Sequence, residues 1–106
     1  MIHNAQLNRF GYDYRLIETG EFTTLKNDSL VVEITYNGCA PGHDYSLEFE
    51  RKGTSIFDLW LFKKTPDEEC LAIIRDIRSF KIPQELIHAQ RIVLFNPVND
   101  KLILKN

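Results

Sequence analysis

Two cysteines and one histidine are the side chains best suited to chemistry in this sequence. Cys39 and His43 stand close together in "YNGCAPGHDY", and Cys70 follows the acidic run "PDEE". These residue types permit three chemistries. An imidazole beside a thiol can take its proton and produce a nucleophile, with the second cysteine resolving the product. The same three side chains, Cys39, His43 and Cys70, offer sulfur and nitrogen ligands to zinc, which needs a fourth donor from His3, His88 or Glu69. The two cysteines can instead close a disulfide, for which only one connectivity exists. The motifs favour the disulfide. Structural zinc sites usually present two paired ligand motifs where this chain has at most one and a half, and neither a C-x-x-C nor an acyl-transfer signature accompanies Cys39. A Cys39–Cys70 bridge closes a loop of about thirty residues and constrains the unfolded chain by roughly 3 to 4 kcal/mol. On this reading no residue is catalytic and no cofactor is held. Gly38 and His43 are turn residues, with His43 bonded to a loop carbonyl or a carboxylate. A metal module and a thiol-dependent redox or enzymatic site at Cys39, His43 and Cys70 stand as the alternatives, as do two unreacted thiols.

The segments that must position these residues read as β-strands. In "LVVEITY" (30–36), Leu30, Val32, Ile34 and Tyr36 share one face while Glu33 and Thr35 share the other. "HDYSLEFER" repeats the alternation with Tyr45, Leu47 and Phe49 inward, so the two strands are expected to form a hairpin around the cysteine loop. "IFDLWLF" (56–62) is apolar on both faces, as a central strand would be. "CLAIIRDIRSF" (70–80) predicts a long strand, bulged where the alternation slips near Arg75 and Asp76, with Arg75, Arg78 and Lys81 on its wet side. "IPQELI" suits one helical turn begun at Pro83, and "QRIVLF", "NPVND" and "KLILK" make a last hairpin. "EFTTLKNDS" and "RFGYDYRLI" supply earlier strands. About seven short strands with little helix predict an all-β, immunoglobulin-like antiparallel sandwich in one domain spanning 1–106, with a loose tail over roughly the first six residues.

At 106 residues, such a chain buries roughly two-thirds of its unfolded surface. The longest apolar runs, "LVV" and "IVLF", fall far short of the ~18 to 20 residues of a membrane helix, so no transmembrane segment is expected. Its 13 basic and 15 acidic residues are dispersed, for a formal charge of −2, and present no footprint for a phosphate backbone. Nucleic acid is therefore not an expected partner. Residues 1–10, "MIHNAQLNRF", lack the pattern of a secretory leader, which leaves a cytosolic chain or one whose leader has been removed. Phe10, Tyr12 and Tyr14 alternate on one face and read as core rather than as an aromatic platform for a sugar or peptide. Trp60 reads the same way. Asp67, Glu68 and Glu69 lack the spacing of a calcium loop and read as a solvated turn. Asn27-Asp28-Ser29 fits a glycosylation sequon but reads as a turn.

Tyr36, Gly38, Cys39, His43, Tyr45 and Cys70, set in "DSLVVEITYNGCAPGHDYSLEF" and "FDLWLFKKTPDEECLAIIRDIRSFKI", resemble a group of uncharacterised bacterial envelope lipoprotein domains. Their pattern is Tyr-x-Gly-x-Cys, or close to it, closing a strand, a nearby His, a Phe or Tyr two residues on, and a second Cys after an acidic loop. The resemblance covers roughly residues 25–105, with a weaker likeness to NigD-like lipoproteins. Its spacing departs from theirs: Gly38 and Cys39 are adjacent, and three residues separate Cys39 from His43 where many relatives have two. The resemblance implies a β-sandwich outside the cytoplasm, in the periplasm or at the outer membrane, its native precursor tethered by a lipid. It also implies a structural or interaction module that meets another envelope protein or a small ligand. It supplies no catalytic residue.

Overall fold

The computed structural model describes residues 9–18, 23–98 and 100–105. The expected tail, and His3 with it, lies outside them. Among the described residues the elements run β1 (Arg15–Leu16), β2 (Thr24–Lys26), β3 (Ser29–Gly38), β4 (Tyr45–Gly53), β5 (Ile56–Lys63), β6 (Ala72–Lys81), α1 (Gln84–Ile87), β7 (Arg91–Asn96) and β8 (Asp100–Lys105). They form two packed sheets. In the first, β3 carries β6 along one edge, while β1 and β2 share the other, opposite Thr35–Ile34 and Val31–Ser29 respectively. β1 and β2 thus act as one interrupted strand, and the eight strands fill seven positions. The second sheet has the order β4-β5-β7-β8. The all-β sandwich expected from the alternation is what the chain forms.

Period-two patterning decides which face of each strand is buried. β3 sends Leu30, Val32, Ile34 and Tyr36 inward, and β5 answers with Phe57, Leu59 and Leu61. Ile92 and Leu94 of β7, Leu16 of β1 and Tyr14 complete the core, and Ile82, Leu86 and Ala89 extend it from the β6–β7 connection. β5 is central, as its two apolar faces predicted. Its outer face is less covered, with Ile56 and Phe62 exposed. β7 pairs parallel with β5 only from Ile56 to Leu59. Beyond that, Phe10–Tyr12 takes the vacant edge: Lys63 N–H donates to the Phe10 carbonyl (2.8 Å) and Tyr12 N–H to the Lys63 carbonyl (3.2 Å). A Cβ at Gly11 would overlap the Lys63 carbonyl, and the backbone there has φ 77°. Only glycine suits both demands.

Three expectations about pairing are corrected. β3 and β4 do not form a hairpin: the cysteine loop carries the chain from one sheet to the other, and all ten residues of β3 pair with β6. β6 has no bulge, its register running unbroken from Ser29↔Lys81 to Gly38↔Ala72. The apparent slip near Arg75 and Asp76 arises because β6 puts Asp76 and Arg78 on its inner face and Ile73 and Ile77 on its outer one. Asp76 and Arg78 lie opposite the core residues Ile34 and Val32. Ile73 and Ile77 stay exposed. Arg78 is therefore not on the wet side with Arg75. The helical turn after Pro83 and the β7–β8 hairpin stand where the sequence puts them. Asn27, with φ 59°, makes the β2–β3 turn read in the sequon.

Candidate functional site

The chemistry-bearing residues meet at the end of the β3–β6 pair. β3 ends at Gly38, directly opposite Ala72 at the start of β6, so Cys39 and Cys70 overhang the same end of one antiparallel ladder. Their Cα atoms are 5.1 Å apart and the sulfurs are bonded to each other. Both residues are exposed. The bridge pulls the acidic run before Cys70 across the cysteine loop. Glu68 Oε1 there accepts the Cys39 backbone N–H at 2.8 Å and lies 2.8 Å from His43 Nε2. Because a carboxylate only accepts, Nε2 carries the proton in this contact.

His43 itself is buried and stacks on Tyr36, with ring centroids 4.2 Å apart and planes 23° from parallel. Its carbonyl accepts a bond from Arg78 at 2.6 Å, and the Gly42 N–H reaches Asp76 at 3.2 Å. The inward charges of β6 therefore hold the loop down. Tyr36 closes the arrangement by donating its hydroxyl to the Ala40 carbonyl at 3.1 Å. Beneath it lies Lys63, fully buried, with Nζ 4.9 Å from the Tyr36 ring and bonded to the Thr65 carbonyl at 2.9 Å.

Titration behaviour follows from these contacts. The Cys39 amide, then the His43 side chain, hold the Glu68 carboxyl below the usual carboxylate range. Burial lowers the Lys63 ammonium, partly offset by Asp67, Glu68 and Asp13. Burial raises Tyr14 and Tyr45. The Tyr14 hydroxyl donates to the Leu61 carbonyl at 2.6 Å in the core.

The residues singled out in the sequence fare differently. Cys39, His43 and Cys70 do come together, but with both sulfurs bonded neither cysteine is a thiolate, the form needed for attack or for zinc. Among the described residues no group of three His, Cys, Asp or Glu side chains is placed to hold a metal ion. His88 lies at the C-terminus of α1, away from this site. The expected bond from His43 to a carboxylate exists, and the partner is Glu68, a residue read as part of a solvated turn. Gly38 is not a turn residue. It is the last residue of β3, and a Cβ there would stand 2.8 Å from Glu68 Oε1 and 3.0 Å from the Tyr36 ring. In the loop that follows, Gly42 takes the positive φ of 96° that favours glycine. Of the aromatic stripe, Tyr14 is in the core and Tyr12 is exposed. Trp60 is half-buried beneath the Arg9 guanidinium, 4.1 Å from its ring.

Glu68 and Lys63 had no motif to betray them. Glu68 becomes legible only once Cys70 is tied to Cys39, which brings the residue two positions earlier against the loop. Beside this clasp runs an open groove of about 600 Å³ whose lining includes Tyr36, Asn37, Glu68, Cys70, Leu71 and Ile73. As chemistry, the His43–Glu68 pair orients an imidazole but aims it at no nucleophile among the described residues. His43 Nδ1 is buried, with no hydrogen-bond partner among them. The arrangement is suited to holding a loop and a surface in place. Compared with protein-family models, with curated proteins and with solved structures, the chain matches none.

Proposed function

We propose that this chain is a non-catalytic interaction module of a bacterial cell envelope, acting in the periplasm or at the outer membrane and binding another protein through the surface beside its disulfide. The observation that carries this reading is the exposed Cys39–Cys70 bond at the end of the β3–β6 ladder. An accessible disulfide persists in compartments that lack the glutathione and thioredoxin reductants of the cytosol. The resemblance to envelope lipoprotein domains points the same way and adds lipid tethering of the native precursor.

The binding surface follows from what the clasp holds rigid. Leu71, Ile73 and Ile77 are 94%, 76% and 51% exposed, an apolar outlay that folding of this chain alone does not reward. The disulfide and the bonds from Glu68 to Cys39 and His43 anchor the start of β6, so less backbone ordering is paid when these side chains are bound.

The test is thiol trapping in intact cells producing the native precursor, quenched in acid and alkylated under denaturing conditions, with the protein followed through fractionation. The expected result is no labelling until reductant is added, with the protein in the envelope fraction. Two freely labelling cysteines on a cytosolic protein would sink the proposal.

A further inference from the structure

β6 is bonded to β3 along one edge, and its other edge is unpaired among the described residues. It is ten residues long and free of register shifts. The remaining outer strands are blunted. β1 and β2 are short, separate pieces, β8 has six residues with a slip in its pairing to β7, and β4 exposes Glu48, Glu50, Arg51 and Lys52 and slips between Arg51 and Gly53. Such devices keep a sheet edge from pairing with another chain. β6 lacks them.

We infer that two copies of this chain join through β6, antiparallel about a two-fold axis, with Ile77 opposite Ile77 of the second copy. Backbone geometry allows few registers. Alternate residues of β6 turn their N–H and C=O away from β3, and a two-fold pairs these groups only when a residue sits on the axis opposite its own copy. Asp76 on the axis puts two carboxylates face to face, and Arg75 or Arg78 there opposes two guanidinium groups. Ile77 on the axis gives an apolar pair. It also sets Asp76 opposite the second copy's Arg78 twice, and Ile74 opposite its Phe80 twice, all on the inner face. On the outer face Arg75 meets Ser79 and Ile73 meets Lys81. Every position from Ile73 to Lys81 is then paired without like charges opposed, over a seam of about 30 Å at ~3.4 Å per residue.

Inward charges can themselves guard an edge, but Asp76 and Arg78 are placed differently. Their side chains are 17% and 29% exposed, and they are bonded to their own loop through Gly42 and His43. They leave the main-chain edge open. This inference rests on the reading of the chain as an interaction module and names the partner as a second copy, joined edge to edge by main-chain pairing.

Sedimentation equilibrium of the full chain, from micromolar to near-millimolar concentration, tests it together with three variants. The expected result is a dimer whose dissociation constant rises roughly tenfold or more in Ile77→Lys, a like-charge pair replacing an apolar one, with unchanged melting of the monomer. Ile77→Cys should form a covalent dimer under mild oxidation, because residues opposite each other in a ladder have Cα atoms about 4.5 to 5.5 Å apart, within disulfide reach. Ser79→Cys should not. A wild-type monomer throughout, or cross-linking by Ser79→Cys but not Ile77→Cys, overturns the inference. Either outcome leaves the compartment reading standing, since that depends on the trapped state of Cys39 and Cys70.

Discussion

Replacing Cys39 and Cys70 together by alanine should destabilise the domain by about 3.7 kcal/mol. The bridge joins residues 31 apart. For a loop of that length the chain-entropy relation gives a loss from the unfolded ensemble of about 12 cal/mol/K, hence about 3.7 kcal/mol at 25 °C. A chain of 106 residues unfolds with an entropy near 220 cal/mol/K at about 2.1 per residue, so the melting temperature should fall by roughly 17 °C. The double variant is the right perturbation, since a single one leaves a thiol free to exchange. Urea and thermal denaturation followed by circular dichroism would measure it, against the wild type with and without reductant. The urea m-value should rise as well, because the uncrosslinked chain exposes more surface on unfolding. The native contacts argue for a loss no smaller than this: without the bridge, the Glu68 carboxylate is no longer tethered against the Cys39 amide and His43. A loss under about 1 kcal/mol, or wild-type stability indifferent to reductant, would refute the reasoning that the bond restrains the unfolded chain.

Other consequences follow from single contacts. Asn96 is buried, and its side chain accepts the Leu16 N–H at 3.1 Å and donates to the Leu16 carbonyl at 2.9 Å, tying β1 to the other sheet. Asn96→Leu leaves both groups of Leu16 without these partners and should cost about 1–3 kcal/mol, read from the urea midpoint with faster hydrogen exchange at Leu16. Gly38→Ala should push the Glu68 carboxylate off His43, visible as loss of a protected Nε2 proton in the imidazole spectrum, while the strand pairing survives. Glu68, held below its ordinary value of 4.5, adds stability that is present above that pH and fades as pH falls through its folded value. Glu68→Gln should flatten that part of the acid limb. Tyr14 is raised from 10.0, so its contribution is whole below that pH. Above it the unfolded chain ionises first, at Tyr45 as at Tyr14, and each of the two should lower stability by about 1.4 kcal/mol per pH unit, so Tyr14→Phe should remove its own share of the slope and leave that of Tyr45.

The alternation in the chain made most of the architecture legible. Leu30, Val32, Ile34 and Tyr36 were readable as one buried face, and so were Phe57, Leu59 and Leu61, because a strand's side-chain period of two maps directly onto the two faces of a sheet. The helical turn after Pro83 and the β7–β8 hairpin were readable from local chemistry. Strand partners were not. Alternation records which face is wet and carries no label for the neighbouring strand, so β3 with β6 looked no better than β3 with β4. The phase of β6 was misread for a related reason. At the open edge of a sandwich, an inward residue need not be apolar if it finds hydrogen bonds, and Asp76 and Arg78 find them on the cysteine loop.

By itself, then, the sequence determined an all-β sandwich, the buried faces of β3 and β5, and the one connectivity a disulfide could have, because burial periodicity and cysteine arithmetic are properties of the chain. Only the tertiary structure decided that Glu68 buttresses His43, that Gly38 yields the space for it, and that β6 stands at an edge with its isoleucines uncovered. These depend on which distant segments the closed chain brings within a hydrogen bond of each other, and local patterning does not encode that distance.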